Sequence, residues 1–492
     1  MRSYRAGSRS TAEQAVGVLR GATEHTPWQG RIYLVGGWLR DRILHRPASP
    51  DVDLLVDGDA VEFAKWLFAR GVIDWPPVIY SRFGTALIRV RPAPRMRAVN
   101  IEMAGARAES YLAGSRKPTV APATIEQDVL RRDFTINTLL EELHSGEIRD
   151  LTGRGLADIE AGRIRTPREP HATFLDDPLR MLRAIRFAAQ LNFIIDDECW
   201  LSIQSSAASL APPTVAWERM QDELLKIIAL EPSAARAGMD LLLQSGLLPQ
   251  ILPEMSPMVG CIQSAWHPWD VWEHTLRAVE ALPPTAGMHT RLAMLWHDIG
   301  KPATRTEDAR GVHFYHHAAV GAGMVHAMMT RLKFAARDVV PVCDLVRLHM
   351  RLGDYLPEWT DASIRRLIRD CGSYLDELFI MARCDIAACS IPSDMEVDLV
   401  GLRGRIEAVN AAMNVVALES PLSGSEIMQE LGLGPSEAVG RAKEYLLNQV
   451  IEGALPPDDR DAAAVMLRAW WVASGSGTES ATEAAYTPGQ TA

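Results

Sequence analysis

The chain has 492 residues, 47% of them hydrophobic and 23% charged, with a formal net charge of -11; this length divides into about two to four domains, and the composition excludes a fibrous or wholly disordered protein. No run approaches the roughly 20 uninterrupted apolar residues of a membrane span, and the N-terminal MRSYRAGSRS lacks the apolar stretch of a secretion signal, so a cytoplasmic protein with no membrane partner is expected. The acidic balance argues against an extended basic surface, so any RNA contact has to be local, and the six cysteines form no close CxxC pair and no regular framework, which reads as buried free thiols.

An N-terminal extension of residues 1–30 precedes a segment, residues 31–165, in which the strand-like runs IYLVGG, DVDLLV, TALIRV and VNIEMA alternate with turn residues around one helical stretch, VEFAKWLFARG. That reads as an α/β head. Gly36 and Gly37 directly follow the first apolar strand, and Arg40 falls just inside the helix expected next. Without Cβ atoms there, backbone amides can approach a phosphate, and the helix N-terminus and Arg40 add positive potential. Ten residues beyond Asp41, the strand DVDLLV carries Asp51 and Asp53, which the two-residue repeat puts on one face. Two carboxylates so placed can hold Mg²⁺ on oxygen ligands. Glu102, in the strand NIEM, is the third acid, completing the metal site or acting as base. Asp133 stands where it can N-cap a helix over FTINTLL. Arginines cluster at 131, 132, 163, 165, 168, 180, 183 and 186, either as a local basic surface or as a solvated face.

From Pro178 onward strands almost vanish, and LRMLRAIRFAAQL and ERMQDELLKIIAL carry helical spacing. Breaks at Pro212-Pro213, LPEMSPMVG, LPPTAG and ESPLSG divide this part into a neck (166–232), a body (233–410) and a tail (411–472), followed by a small, polar, disordered terminus (473–492). In the neck, Asp177 and Arg180 stand at i, i+3. As a helix-surface ion pair they would contribute about 0.2 to 0.5 kcal/mol; alternatively, a carboxylate and a guanidinium can match the edges of a nucleobase. In the body, His274, His297, Asp298, His317, His349 and Asp385 all fall in helical context. Imidazole and carboxylate ligands together suit a divalent transition metal.

Taken in order, these motifs resemble the family of bacterial tRNA nucleotidyltransferases and poly(A) polymerases. The resemblance rests on RRDFTIN at 131–137, DDPLR at 176–180 followed by MLRAIRFAA, RFGTA at 82–86, RAESY at 107–111, Asp150-Leu151 with Gly153, Glu218-Arg219 with Lys226, and PLSGSEIMQELGLGPSEAVG; it runs from about residue 31 to 455. It implies a polymerase-β-like α/β head followed by a mainly α-helical neck, body and tail. It further implies that Asp51 and Asp53 bind the catalytic Mg²⁺ ions and that Gly36, Gly37 and Arg40 hold the triphosphate. Arg132, Asp133 and Asn137 would contact the bound nucleotide, while Asp177 and Arg180, with Arg183 beside them, would read its base. Asp176 stands where the family usually has Glu. The implied partners are the tRNA 3′ acceptor end, CTP and ATP, and the implied tail function is tRNA binding.

The body resembles an HD-domain phosphohydrolase (about 266–390). That resemblance implies that His274, His297, Asp298 and Asp385 hold Ni²⁺, Mn²⁺, Fe or Zn²⁺, with His317 and His349 available to a second ion. The family's usual GHE segment reads His316-His317-Ala318 and lacks the acid. The expected activity is CCA addition to tRNA, with an additional HD phosphohydrolase activity. Open alternatives are A-only or CC-only addition, poly(A) synthesis, although no stretch like GRRFRLVHV is present, and a phosphohydrolase whose head only binds nucleotide or RNA. The sequence specifies no oligomeric state.

Overall fold

The computed structural model describes residues 10–47, 51–81, 84–110, 119–263, 268–309, 311–390, 397–412, 415 and 418–474. Arg82 and Phe83 of RFGTA, Tyr111 of RAESY, residues 1–9 of the N-terminal extension and the terminus from residue 475 lie outside the described residues. The chain divides into two compact units, one of Met1–Pro257 with Ala327–Ala335, the other of Met258–His326 with Ala336–Ala492.

The first unit opens with α1 (Thr11–Thr23), β1 (Ile32–Val35), α2 (Gly36–Ile43), β2 (Val52–Val56), α3 (Ala60–Ala69), β3 (Val78–Tyr80), β4 (Thr85–Val90) and β5 (Val99–Gly105). A two-stranded ribbon, β6 (Arg107–Ser110) and β7 (Thr119–Pro122), precedes α4 (Ile125–Leu130), β8 (Leu140–Glu142), β9 (Ile148–Arg149) and α5 (Gly155–Glu160). The main sheet has the order β3-β4-β5-β2-β1-β8-β9. Only β2 and β5 run parallel in it, with Asp53 opposite Glu102; the other neighbours are antiparallel. The strands alternate as their sequences dictate. Ile32, Leu34, Val52, Leu54, Ile101 and Met103 face a core shared with Leu19 of α1 and Phe63 and Leu67 of α3, while residues of opposite parity, Asp53 and Glu102 among them, fall on the other side.

Helix α1 is absent from the sequence expectations. A capping box starts it, with Glu13 N donating to Ser10 Oγ at 3.2 Å and Ser10 N to Glu13 at 2.8 Å. The expected helix over FTINTLL does not form: a single 3-10 turn, Thr135–Asn137, with Phe134 rather than Asp133 at its N-cap position and no side-chain cap bond, leads into β8. The sheet wins because Leu140, in register with Val35, pairs the free side of β1 and is buried there.

The neck follows as α6 (Pro170–Asp176), α7 (Leu179–Leu191), α8 (Asp197–Ser206), α9 (Trp217–Ile228) and α10 (Pro232–Gln244). α7 buries Leu179, Leu182, Ile185 and Ala189 at helical spacing and stops at Asn192, whose φ of 57 is left-handed. α10 lies close on α9: a Cβ on Gly238 would stand 2.6 Å from Ile227 Cγ2.

In the second unit, helices Val271–Glu280, Met288–Trp296, Ala336–Leu348 and Leu375–Ala387, with the start of His317–Arg331, surround a buried histidine cluster. The tail helices Gly424–Leu431, Glu437–Glu452 and Arg460–Ala473 close a separate small core around Ile427, Leu446, Val450 and Leu467. Among the described residues no helix is long and apolar enough to cross a membrane, and all six cysteines are free.

Candidate active site and metal centre

The first unit holds a cavity of about 1010 Å³, lined by every head and neck residue to which the sequence reading assigned a metal-binding, catalytic or nucleotide-binding role: Gly36, Gly37, Arg40, Asp51, Asp53, Glu102, Arg132, Asp133, Asn137, Asp177, Arg180 and Arg183. The turn from β1 into α2 forms one wall. Gly36 has a φ of +73, and a Cβ there would stand 2.9 Å from Asp53 Oδ2, so both backbone conformation and space require glycine. Asp53 pairs in register with Glu102, and Asp51 precedes it by two residues on the same side. Burial first, then the charge of Glu102 and that of Asp51, push the Asp53 carboxyl up to about 6 against the pull of Arg132. The three carboxylates line one cavity without converging within 4.8 Å of one another as a ligand group, and their surplus negative charge and oxygen donors suit a hard divalent cation that would draw them together.

Behind this wall runs a buried polar chain. Arg40 is only 3% exposed. Its Nε and Nη2 donate to Asp41 Oδ1 at 2.9 and 2.7 Å, and its Nη1 donates to Asn137 Oδ1 at 2.9 Å. Arg40 thus ties α2 to Asn137 as well as lining the cavity. Asn137 Nδ2 donates to Asp133 Oδ1 at 3.2 Å, and Arg183 Nε and Nη2 donate to Asp133 Oδ2 at 2.9 and 2.6 Å. Burial alone would raise Asp133, but the Arg183 charge and hydrogen bond, helped by Asn137 and the Phe134 amide, bring it down to about 2. From Arg183 the chain reaches Glu223 at 3.6 Å, which also accepts from Arg186 Nε at 2.6 Å. Phe187 lies under the guanidiniums of Arg40, Arg183 and Arg186, at 5.0, 5.4 and 4.1 Å. Glu223 and Phe187 carry no role in the sequence reading, and Arg186 figures there only as a member of the arginine cluster. One signal was available: Glu223 sits at an apolar-stripe position of α9, three residues after Met220 and four before Ile227.

The side chains of Asp177 and Arg180 form no ion pair with each other; the bond between the two residues runs from the Arg180 amide to the Asp177 carbonyl at 3.0 Å. Arg180 Nη2 donates to Arg131 O at 2.7 Å and Nη1 to Thr173 O at 3.3 Å. Asp177 instead accepts from Arg219 Nη2 at 2.8 Å and Nη1 at 3.3 Å. The arginine cluster splits in two. Arg131, Arg132, Arg180, Arg183 and Arg186 line the cavity, joined by Arg219 and Lys226. Arg163 and Arg165 pair with Asp196, and Arg168 with Asp176, outside it.

The second unit gathers all six body residues into two triads, His274 with His297 and Asp385, and Asp298 with His317 and His349; within each, the candidate ligand atoms lie within 4.8 Å of one another. Asp298 stands between them. Its Oδ2 lies 3.5 Å from His274 Nε2 and 3.2 Å from His297 Nε2, while its Oδ1 lies 3.4 Å from His317 Nε2 and 3.8 Å from His349 Nε2. His274 Nε2 is 2.9 Å from Asp385 Oδ1. The rings of His297, His317 and His349 each set Nδ1 against the carbonyl three residues earlier, Met294 at 2.8 Å, Phe314 at 2.9 Å and Val346 at 2.7 Å. Each Nδ1 then carries the proton, and each Nε2 is presented as a ligand. Lys301 Nζ lies 2.6 Å from Asp298 Oδ2. Burial disfavours a charged His297, yet Asp298 and then Asp385 carry it up to about 10; a divalent cation would take over this charge-balancing role, and the donor set fits one.

Residues 32–165 match the family model described as "Poly A polymerase head domain", residues 192–259 that described as "Probable RNA and SrmB- binding site of polymerase A", and residues 265–385 the "HD domain". The chain is 35% identical over 336 residues to the A-adding tRNA nucleotidyltransferase of Deinococcus radiodurans, covering 66% of this chain and 75% of that one. To the CC-adding tRNA nucleotidyltransferase of Thermus thermophilus it is 33% identical over 428 residues, covering 85% and 89%. The crystal structure of the Bacillus stearothermophilus CCA-adding enzyme in complex with CTP shares the fold at a TM-score of 0.64 and 20% identity, over 95% of this chain and 100% of that one.

Proposed function

The chain belongs to the tRNA nucleotidyltransferase family, and on that premise we propose that it adds C, C and A to the 3′ end of tRNA from CTP and ATP, releasing pyrophosphate. The observation that carries this reading is the single cavity in which the carboxylates of Asp51, Asp53 and Glu102 meet the glycine turn and the arginines of the neck. Asp51 and Asp53, with Glu102, would hold Mg²⁺. Bound there, Mg²⁺ supplies Lewis acidity to the attacking 3′-hydroxyl and neutralises charge on the departing pyrophosphate. The chain's own residues do the rest. The Gly36-Gly37 turn lets backbone amides approach the triphosphate, and Arg132 adds donors beside it. Asp133 and Asn137, fixed by Arg183 and Arg40, contact the sugar side of the nucleotide. Asp177 and Arg180 present an acceptor and a planar set of donors to the base, so side chains take the place of a template strand. The carbonyls of Arg131 and Thr173 hold the Arg180 guanidinium in place for this.

The buried centre of the second unit would hold one or two divalent transition-metal ions and support hydrolysis of a phosphate ester as a separate activity. A second reading of the head, addition of only A or only CC, is favoured by the names of the Deinococcus radiodurans and Thermus thermophilus relatives.

The test is product length. Purified protein with Mg²⁺ is given tRNA transcripts ending at the discriminator base, at C or at CC, with CTP and ATP separately and together. Completion of all three to CCA supports the proposal. Growth only from the CC end with ATP, or arrest at CC, selects the partial reading; a long A tail makes it a poly(A) polymerase, and no extension overturns the assignment of the head.

A further inference from the structure

Arg219 reaches Asp177 across 42 residues, from α9 to the turn between α6 and α7, with both terminal nitrogens of its guanidinium on the one carboxylate. A carboxylate offers about four acceptor positions. On Oδ1 the Leu179 amide donates at 3.2 Å and Arg219 Nη1 at 3.3 Å; on Oδ2 Arg219 Nη2 donates at 2.8 Å. The fork also fixes the plane of the carboxylate, because its two parallel contacts cannot both survive rotation about the last side-chain bond. The Arg219 side chain is 51% exposed, against 20% for Asp177, so the pair lies at the rim of the cavity rather than in a core.

We infer that Arg219 is a specificity-determining positioning residue: it orients Asp177 so that the one remaining acceptor position, on Oδ2, meets the exocyclic amine of the incoming base. The inference rests on the base-reading role proposed for Asp177. Cytosine and adenine both present an amine at that edge, whereas uracil presents a carbonyl oxygen, which would face the carboxylate acceptor to acceptor. With Arg219 in place the carboxylate cannot swing aside to relieve that clash. Without it the carboxylate rotates, the amine loses a preset partner, and the penalty against uracil falls.

The experiment compares full-length wild type, Arg219→Ala, Arg219→Lys and Asp177→Ala on tRNA transcripts. It measures kcat and KM for whichever of CTP and ATP the wild type adds, the same constants for UTP, and the thermal midpoint of each protein. In Arg219→Ala, the preference over UTP is expected to fall by roughly tenfold or more, chiefly through a higher KM for the correct nucleotide. Its midpoint is expected to match the wild type, since a half-exposed pair adds little stability. Arg219→Lys keeps the charge but not the fork, so it is expected to recover KM in part while leaving discrimination relaxed. If Asp177→Ala relaxes discrimination and Arg219→Ala does not, the positioning role of Arg219 is overturned and the base-reading role stands. If Asp177→Ala leaves discrimination unchanged, the base-reading role itself fails and takes the inference with it.

Discussion

At the residue scale, the carboxylate trio was legible because a strand's two-residue repeat leaves little freedom: Asp51 and Asp53 had to share a face, and Glu102 became their neighbour once β5 aligned beside β2. Glu223 was not legible, because a charged residue at an apolar-stripe position discloses its partners only once Arg183 and Arg186 are brought in from α7. Gly36→Ala forces a Cβ to within 2.9 Å of Asp53 Oδ2 at a φ of +73. It should lower the single-turnover extension rate by up to about 10²-fold while the protein stays folded, the loss that a misplacement of about 1 Å at a reacting centre brings. Asp133 makes a prediction of the opposite kind, in stability. Its folded value is depressed to about 2, so its contribution is complete above the unfolded value near 4 and is lost as pH falls through about 2. Asp133→Asn should therefore destabilise the protein at pH 7 by about 2 kcal/mol in urea titrations, and the gap should close between pH 4 and pH 2.

Helices α7 and α9 fell where the sequence placed them because their apolar stripes repeat at 3.6 residues and nothing in the tertiary structure competes with them. The stretch after Asp133 shows the reverse. FTINTLL has a helical look, but the open side of β1 takes Leu140 into the sheet, and a pairing between distant segments is not written in a local pattern. α1 was missed because residues before the first strand were set aside as an extension, although its buried Ala15, Val16 and Leu19 are part of the head core. Across the contact between α7 and α9, Glu223 of α9 answers Arg183 and Arg186 of α7, with Lys226 of its own helix beside it. Glu223→Gln keeps the shape and removes the buried charge, leaving the partly buried Arg186 guanidinium without its counter-ion while Arg183 keeps Asp133. A loss of about 3 kcal/mol in denaturant midpoint analysis is expected, larger than for any exposed ion pair of the neck.

Across the whole molecule, an acidic chain carries a cavity lined by Arg131, Arg132, Arg180, Arg183, Arg186, Arg219 and Lys226, which reconciles a net charge of -11 with a local site for polyanions. The cavity and the histidine centre each lie wholly within one unit. His297→Ala should therefore strip transition metal from the purified protein, read by elemental analysis, yet leave tRNA extension within about threefold of wild type, since the two sites share no residue. The motifs of both centres were readable as residue types at given spacings, but the placing of Asp298 between two triads depends on how the helices pack. The most direct measurement of the central claim is single-turnover extension of a tRNA transcript by wild type and Asp53→Ala, alongside equilibrium binding of CTP to each. The account predicts that Asp53→Ala loses at least about 10³-fold in rate while binding CTP within a few-fold of wild type; extension at the wild-type rate by Asp53→Ala would contradict it.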